Sequence, residues 1–303
     1  MTITIKKIGD TADLLGESPI WDSKGKCLYW VDSVSCLVKC YDPITQEYKS
    51  WKTPSQIGCI GFAPNNCLIV SLVDGFYELN LDSGEIKTLM RPMPPNDKVR
   101  FNDGKIDRFG NFICGSMGIH TDPLGELYRM NRDGESKKLA NGIRISNCIA
   151  FSPDGKVMYM ADSLDLKIRA YDYGDGNQDL REPRIFFDTF GLGSAPDGAT
   201  VDAEGYLWVA LVSANKIARF APNGTLDRLI RSPTDFPSCL AFGGDDLSTL
   251  YVTSIKNSGT GRMISRHPEG GYLFAIDGLG VKGLPEPCYQ QSINEITNIG
   301  LIK

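Results

Sequence analysis

Apolar residues in this chain come in short alternating runs, and one arrangement of them returns six times. An apolar anchor closes one run, a turn rich in Asp, Asn and Gly follows, and a second hydrophobic run starts after it. The anchors are Trp21, Phe62, Ile106, Phe151, Val201 and Phe242, spaced by 41, 44, 45, 50 and 41 residues. Repeat one reads Ser18-Pro19-Ile20-Trp21, turns at Asp22-Ser23-Lys24-Gly25, and resumes as Cys27-Leu28-Tyr29-Trp30-Val31-Asp32. Repeat four has Phe151, the turn Ser152-Pro153-Asp154-Gly155 and then Val157 to Asp162. Gly25, Gly110, Gly155 and Gly205 each stand four residues after their anchors, where a tight hairpin needs positive φ. Further alternating runs follow, such as Val38-Lys39-Cys40-Tyr41-Asp42 and Lys216-Ile217-Ala218-Arg219-Phe220. No helical periodicity of any length competes.

A unit of this size cannot bury its own apolar face, so the copies must pack on one another. The pattern predicts an all-β fold, a six-bladed β-propeller of four-stranded antiparallel blades forming a single domain over residues 1–303. The leading run Thr2 to Ile8 has no hairpin partner and is expected to pair with the last blade, closing the ring.

The residues four places before the anchors are Glu17, Gly58, Asn102, Asn147, Asp197 and Ser238, none of them a large apolar side chain. In a propeller these equivalent positions meet at one mouth of the central channel. The second strands return to the same end, which brings Asp162 into consideration as well. Two carboxylates about 4 Å apart repel by roughly 4 kcal/mol at an effective dielectric of 20, so either one takes a proton or a cation sits between them. Carboxylate and amide oxygens together suit a hard divalent ion such as Ca²⁺, Mg²⁺ or Mn²⁺. Asp and Asn also open strands simply through local turn hydrogen bonds, and the sequence leaves that reading open at each single position.

Composition excludes more than it selects. Hydrophobic residues make up 42% and charged residues 23%, an ordinary globular balance. A net charge of −5 and the lack of any basic run argue against nucleic acid. No apolar run is long enough to cross a bilayer, and the alternating N-terminus does not read as a signal peptide. Nine cysteines occur without a C-x-x-C pair, and Cys36 and Cys40 have no histidine near them, so a zinc knuckle is not expected. Unpaired thiols predict a reducing, cytoplasmic setting. A monomer without membrane or nucleic-acid partners is expected. Two histidines and no Gly-x-Ser-x-Gly elbow leave little scope for a serine triad.

The segments Gly16-Glu17-Ser18-Pro19-Ile20-Trp21, Arg100-Phe101-Asn102-Asp103-Gly104-Lys105, Ile145-Ser146-Asn147, Pro196-Asp197-Gly198 and Gly278-Leu279-Gly280-Val281-Lys282-Gly283 resemble the SMP-30/regucalcin/gluconolactonase/luciferin-regenerating-enzyme family. The resemblance runs in order along almost the whole chain. It implies a six-bladed propeller and a metal-dependent sugar lactone lactonase. It also implies Glu17, Asn147 and Asp197 as metal ligands, Arg100 and Asn102 as substrate-binding residues, and Asp197 as acid/base. The implied cofactor is one divalent ion, calcium first, with Zn²⁺, Mn²⁺, Mg²⁺ or Fe²⁺ as alternatives. The implied partner is a small-molecule sugar lactone. One departure concerns His120, which stands where animal regucalcins carry a substrate-contacting glutamate, so it enters as a substrate-binding candidate or a solvent-facing loop residue. His267 reads as a loop residue.

Three functions fit these residues. The first is hydrolysis of aldonolactones to aldonic acids. The second is non-enzymatic calcium binding. The third is luciferin-regenerating or phosphotriesterase-type chemistry on the same scaffold. The polar Arg100/Asn102 rim favours a hydroxylated substrate over an aromatic one.

Overall fold

A computed structural model describes residues 2–94 and 96–290, and they form a six-bladed β-propeller. Blade one contains β2 (Gly16–Asp22), β3 (Cys27–Asp32), β4 (Leu37–Tyr41) and β5 (Tyr48–Lys52). Blade two contains β6 (Ile57–Ala63), β7 (Cys67–Leu72), β8 (Gly75–Asn80) and β9 (Ile86–Met90). Blade three is β10 (Val99–Ile106), β11 (Phe112–Gly118), β12 (Gly125–Met130) and β13 (Ser136–Ile143). Blade four is β14 (Ser146–Phe151), β15 (Val157–Asp162), β16 (Lys167–Asp172) and β17 (Arg184–Asp188). Blade five is β18 (Pro196–Val201), β19 (Leu207–Leu211), β20 (Lys216–Phe220) and β21 (Leu226–Arg231).

The sixth blade is made from both ends of the propeller. It takes β22 (Pro237–Gly243), β23 (Thr249–Ser254) and β24 (Leu273–Asp277) from the late sequence and β1 (Thr4–Ile8) from the start. Thr4 pairs with Asp277 and Ile8 with Leu273 in antiparallel register, as the unpaired leading run predicts. The expected hairpins form as well. Gly110, Gly155 and Gly205 have φ of 84°, 73° and 84°. Repeat two lacks glycine and uses Asn65 and Asn66 at φ of 60° and 58° instead, the mirror-turn geometry that asparagine tolerates. In repeat one the positive φ falls on Lys26 rather than Gly25.

Six slabs of the hydrophobic core are each shared by two adjacent blades, and a seventh, smaller cluster joins Leu15, Val212 and Ile255. Ile20 and Val31 of blade one pack with Ile57, Ile60 and Leu68 of blade two. Trp21, Leu28 and Trp30 face Tyr251 and Leu273 across the closing seam. Trp21 stacks on Tyr251 with ring centroids 5.6 Å apart. Each large side chain buried this way contributes on the order of 1.5–3 kcal/mol, and the contribution exists only when the neighbouring blade is present. The described part of the chain after β24 runs across the lower face. Gly283 bridges to Asp202, Glu286 lies 3.7 Å from Lys105, and Cys288 bridges to Phe62. This segment backs the channel from below. Among the described residues no helix is long and apolar enough to cross a membrane. None of the nine cysteines is in a disulfide.

Candidate functional site

Every inner strand breaks register at nearly the same place, between the residue four or five before the anchor and the residue one or two before it. The breaks fall at Glu17/Ile20, Phe101/Gly104, Asn147/Ala150 and Pro196/Ala199, with the same break in blades two and six. A bulge of this kind puts the pleat before it out of phase with the pleat after it and re-aims the side chain at the break. Ser18 and Cys148 take up the distortion at φ of 50° and 61°. Glu17, Asn102, Asn147 and Asp197 therefore leave the blade-to-blade packing and line one cavity of about 350 Å³ at the upper mouth, with Arg100 beside them.

The other two ring positions are closed for visible reasons. A Cβ on Gly58 would meet the backbone oxygen of Asn102 at 2.5 Å and Ser71 Oγ at 2.7 Å, so blade three approaches too closely for a side chain there. Ser238 Oγ donates to the Gly16 carbonyl at 2.5 Å and lies 2.9 Å from Thr253 Oγ1, where it seals blade six to blade one.

The polar groups in the cavity are held by one continuous set of hydrogen bonds. Arg100 Nη1 donates to the Phe101 carbonyl at 2.9 Å and to Asn102 Oδ1 at 2.8 Å. Asn102 Nδ2 donates to the Ser146 carbonyl at 2.9 Å and to Asn147 Oδ1 at 3.0 Å. Asn147 Nδ2 donates to Ser163 Oγ at 2.8 Å, and Ser163 Oγ donates to the Pro196 carbonyl at 2.8 Å, next to Asp197. Both ends of the Asn147 amide are fixed, which leaves a lone pair of its oxygen for the cavity. Ser163 escaped sequence reading because it lies outside the repeat register, at the start of a short 3-10 helix, Ser163–Asp165. Its only sequence signal is its place after Asp162, the residue that caps this turn.

The electrostatics of the two carboxylates decide what can occupy the site. Glu17 is held well above the usual carboxylate range, first by burial and then by the negative charges of Asp197 and Asp103. Asp197 is raised likewise, by burial and then by Asp103. Buried like charges of this kind must bind protons or a cation. Among the described residues no three His, Cys, Asp or Glu side chains gather as a ligand cluster, so a cation here would depend on amide oxygens as well. Two carboxylates with an oriented amide oxygen fit a hard divalent ion, and Glu17, Asp197 and Asn147 are the residues able to hold it.

Asp103 is a third, half-buried carboxylate and does not line the cavity. Its Oδ2 accepts from the Ile149 amide at 2.7 Å, and burial raises its pKa to about 6. A carboxyl raised from 3.8 to about 6 lends stability that is complete below pH 4 and lost as pH rises through 6. Asp103→Asn keeps an acceptor for Ile149 and removes the titration. In chelator-treated protein it should raise stability by up to about 3 kcal/mol at pH 8 and by little at pH 4. Denaturant melts at the two pH values check this, and an equal effect at both would contradict it.

Other residues fall in different places. Asp162 does not face the cavity. Its oxygens accept from the amides of Arg144 at 2.8 Å, Ile145 at 3.2 Å and Leu164 at 3.2 Å. Asp32 does the same for Leu14 and Leu15, so both carboxylates fasten the chain entering their blades. His120 is exposed and outside the cavity wall, while its neighbour Thr121, at φ of 71°, lines it. His267 is a turn residue whose Nδ1 accepts from the Glu269 amide at 3.2 Å. The walls above the polar floor are more aliphatic than the sequence suggests, with Leu15, Met117, Ile145, Val212, Ile255 and Met263 around it.

The chain and its fold have counterparts among known proteins. The family described as the SMP-30/Gluconolactonase/LRE-like region matches residues 15–256. A 6-deoxy-6-sulfogluconolactonase of Pseudomonas putida is 30% identical over 291 residues, covering 95% of this chain and 99% of the relative. A luciferin-regenerating enzyme superposes with a TM-score of 0.88 at 29% identity, over 96% of this chain and 100% of that one. A calcium-binding protein, regucalcin, from Agrobacterium tumefaciens superposes with a TM-score of 0.87 at 25% identity, over 93% and 96% of the two chains.

Proposed function

The chain belongs to the SMP-30/gluconolactonase/LRE-like family, and from that premise we propose that it is a divalent-metal-dependent hydrolase of sugar lactones. The observation that carries the reading is the convergence of Glu17, Asn147, Asp197, Asn102 and Arg100 on one cavity. The gluconolactonase name of a relative covering 95% of the chain supports the lactone class.

In this reading Glu17, Asn147 and Asp197 would hold the ion, with calcium the first choice, and Arg100 and Asn102 would orient the substrate. A divalent ion bound there supplies Lewis-acid stabilisation of the charge that develops on the ester oxygen. Asp197 takes a proton from the water that adds to the lactone carbonyl carbon. The ring C–O bond then breaks, and the same carboxyl returns the proton to the departing alkoxide, leaving the open hydroxy acid. Arg100, fixed through Asn102, donates to substrate oxygens with the guanidinium edge that its own loop does not use. The aliphatic walls limit water around the reacting ester and accept the carbon faces of a sugar ring.

The test is a pH-stat assay of chelator-treated protein, re-supplied with one divalent ion at a time, against several aldonolactones. The expected result is ring opening above the spontaneous rate with at least one ion and none without. Tight calcium binding with no hydrolysis across the panel would instead favour the ion-binding reading, which the calcium-binding regucalcin relative supports.

A further inference from the structure

The strongest unassigned feature is the upper lip of the cavity. The connection from β23 to β24 folds into a small hairpin, with Asn257 bridged to Ile264 and the Ser258 amide 3.0 Å from the Met263 carbonyl. The hairpin leans inward, so Ser258, Thr260 and Arg262 form part of the cavity wall. Arg262 Nη2 donates to the Ile119 carbonyl at 2.9 Å, reaching from blade six to the loop after β11 in blade three. That same loop supplies Thr121 to the wall.

Arg262 has no carboxylate within ion-pair distance among the described residues. Its charge bears on Arg100, whose pKa is held down to about 10, chiefly by burial and also by repulsion from Arg262. Two guanidinium groups that repel each other across one cavity, with the mutually bonded Ser258 and Thr260 hydroxyls 2.9 Å apart on the same lip, make a site for an anion. The acidic groups lie at the other end, on the floor. The cavity is therefore polarised, with carboxylates below and a cationic, hydroxyl-bearing lip above.

We infer that the substrate carries an anionic substituent remote from its ester, bound by Arg262 beside the hydroxyl pair of Ser258 and Thr260. The inference rests on the lactonase reading and narrows it to lactones of acidic sugars, with a carboxylate, phosphate or sulfonate as the shared anionic group. Arg262 is here a specificity-determining residue at the end of the cavity away from the ester.

The experiment compares kcat/KM for glucono-δ-lactone with that for its 6-phospho, 6-sulfo and 6-carboxylate counterparts. The parent protein should favour at least one anionic lactone by tenfold or more. Arg262→Gln should lower the anionic-to-neutral ratio by about 10–100-fold, the scale of a charge-assisted hydrogen bond, and Arg262→Lys should lower it less. Arg266→Gln, in the same connection but outside the cavity wall, should keep the parent ratio. A parent ratio near one for every anionic lactone, or a ratio untouched by Arg262→Gln, overturns the proposal.

Calorimetry of the open acids reads the same lip without turnover. Gluconate is compared with 6-phosphogluconate, 6-sulfogluconate and glucarate in parent and Arg262→Gln proteins. Stronger binding of one dianionic acid that is lost in the variant supports the anion site even if no lactone is hydrolysed, in which case only the lactonase reading falls. Equal binding of all the acids by the parent overturns the anion site alone.

Discussion

Asp197→Asn should leave a folded protein that hydrolyses lactone about 10²–10⁴-fold more slowly, the range expected for losing a positioned general base. The substitution is close to isosteric, and an amide oxygen can still accept from the Gly198 amide that supports the carboxylate. It also removes one of the three carboxylates that repel one another around the axis, so ion-free Asp197→Asn protein should melt no lower than the parent. Activity and ion binding are measured together, because Asp197 is assigned both roles. Loss of turnover with calorimetric ion binding retained identifies the proton-transfer role, whereas loss of both places Asp197 mainly as a ligand. Full turnover by the variant would remove Asp197 from the mechanism.

Glu17→Gln should greatly weaken the response of the protein to divalent ions. In the parent, an ion supplied at 100 times its Kd should add about 2.7 kcal/mol of stability, visible as a rise in Tm that chelator reverses. Glu17 stands half-buried among groups of its own sign, so in the proposed site a cation would be what sustains its charge. Glutamine removes that charge while filling the same space. The variant should show a much smaller Tm shift with any ion of the panel and little lactone turnover. A parent protein indifferent to every divalent ion, or a variant stabilised as strongly as the parent, would argue that the carboxylates are satisfied by protons alone.

The parts of the site differ in how legible they were. The ring positions Glu17, Asn102, Asn147 and Asp197 could be found because they recur in a fixed register with the buried anchors. Gly58 and Ser238 share that register, and only the approach of Asn102 and Gly16 from neighbouring blades shows why they offer no ligand. Asp162 ends the second strand of its blade at the same mouth, yet the amides of Arg144 and Ile145 take up its oxygens. The outermost strands β5, β9, β13, β17 and β21 were harder to read, because most of their residues are exposed and the alternation that marks buried strands is weak.

The sequence by itself determined the blade count, the all-antiparallel pairing, the closure of the last blade by Thr4–Ile8, and the ring of polar positions at the channel mouth. These follow from local rules: a period-two alternation, turn residues with accessible positive φ, and units too small to stand alone. The tertiary structure decided the rest: the bulges that turn four side chains inward, the Ser163 hydrogen bond that orients Asn147, the aliphatic walls, and Arg262 reaching across to Ile119. Those contacts join residues from different blades, and a side chain's partner across a ring is set by packing distance, which no local pattern encodes.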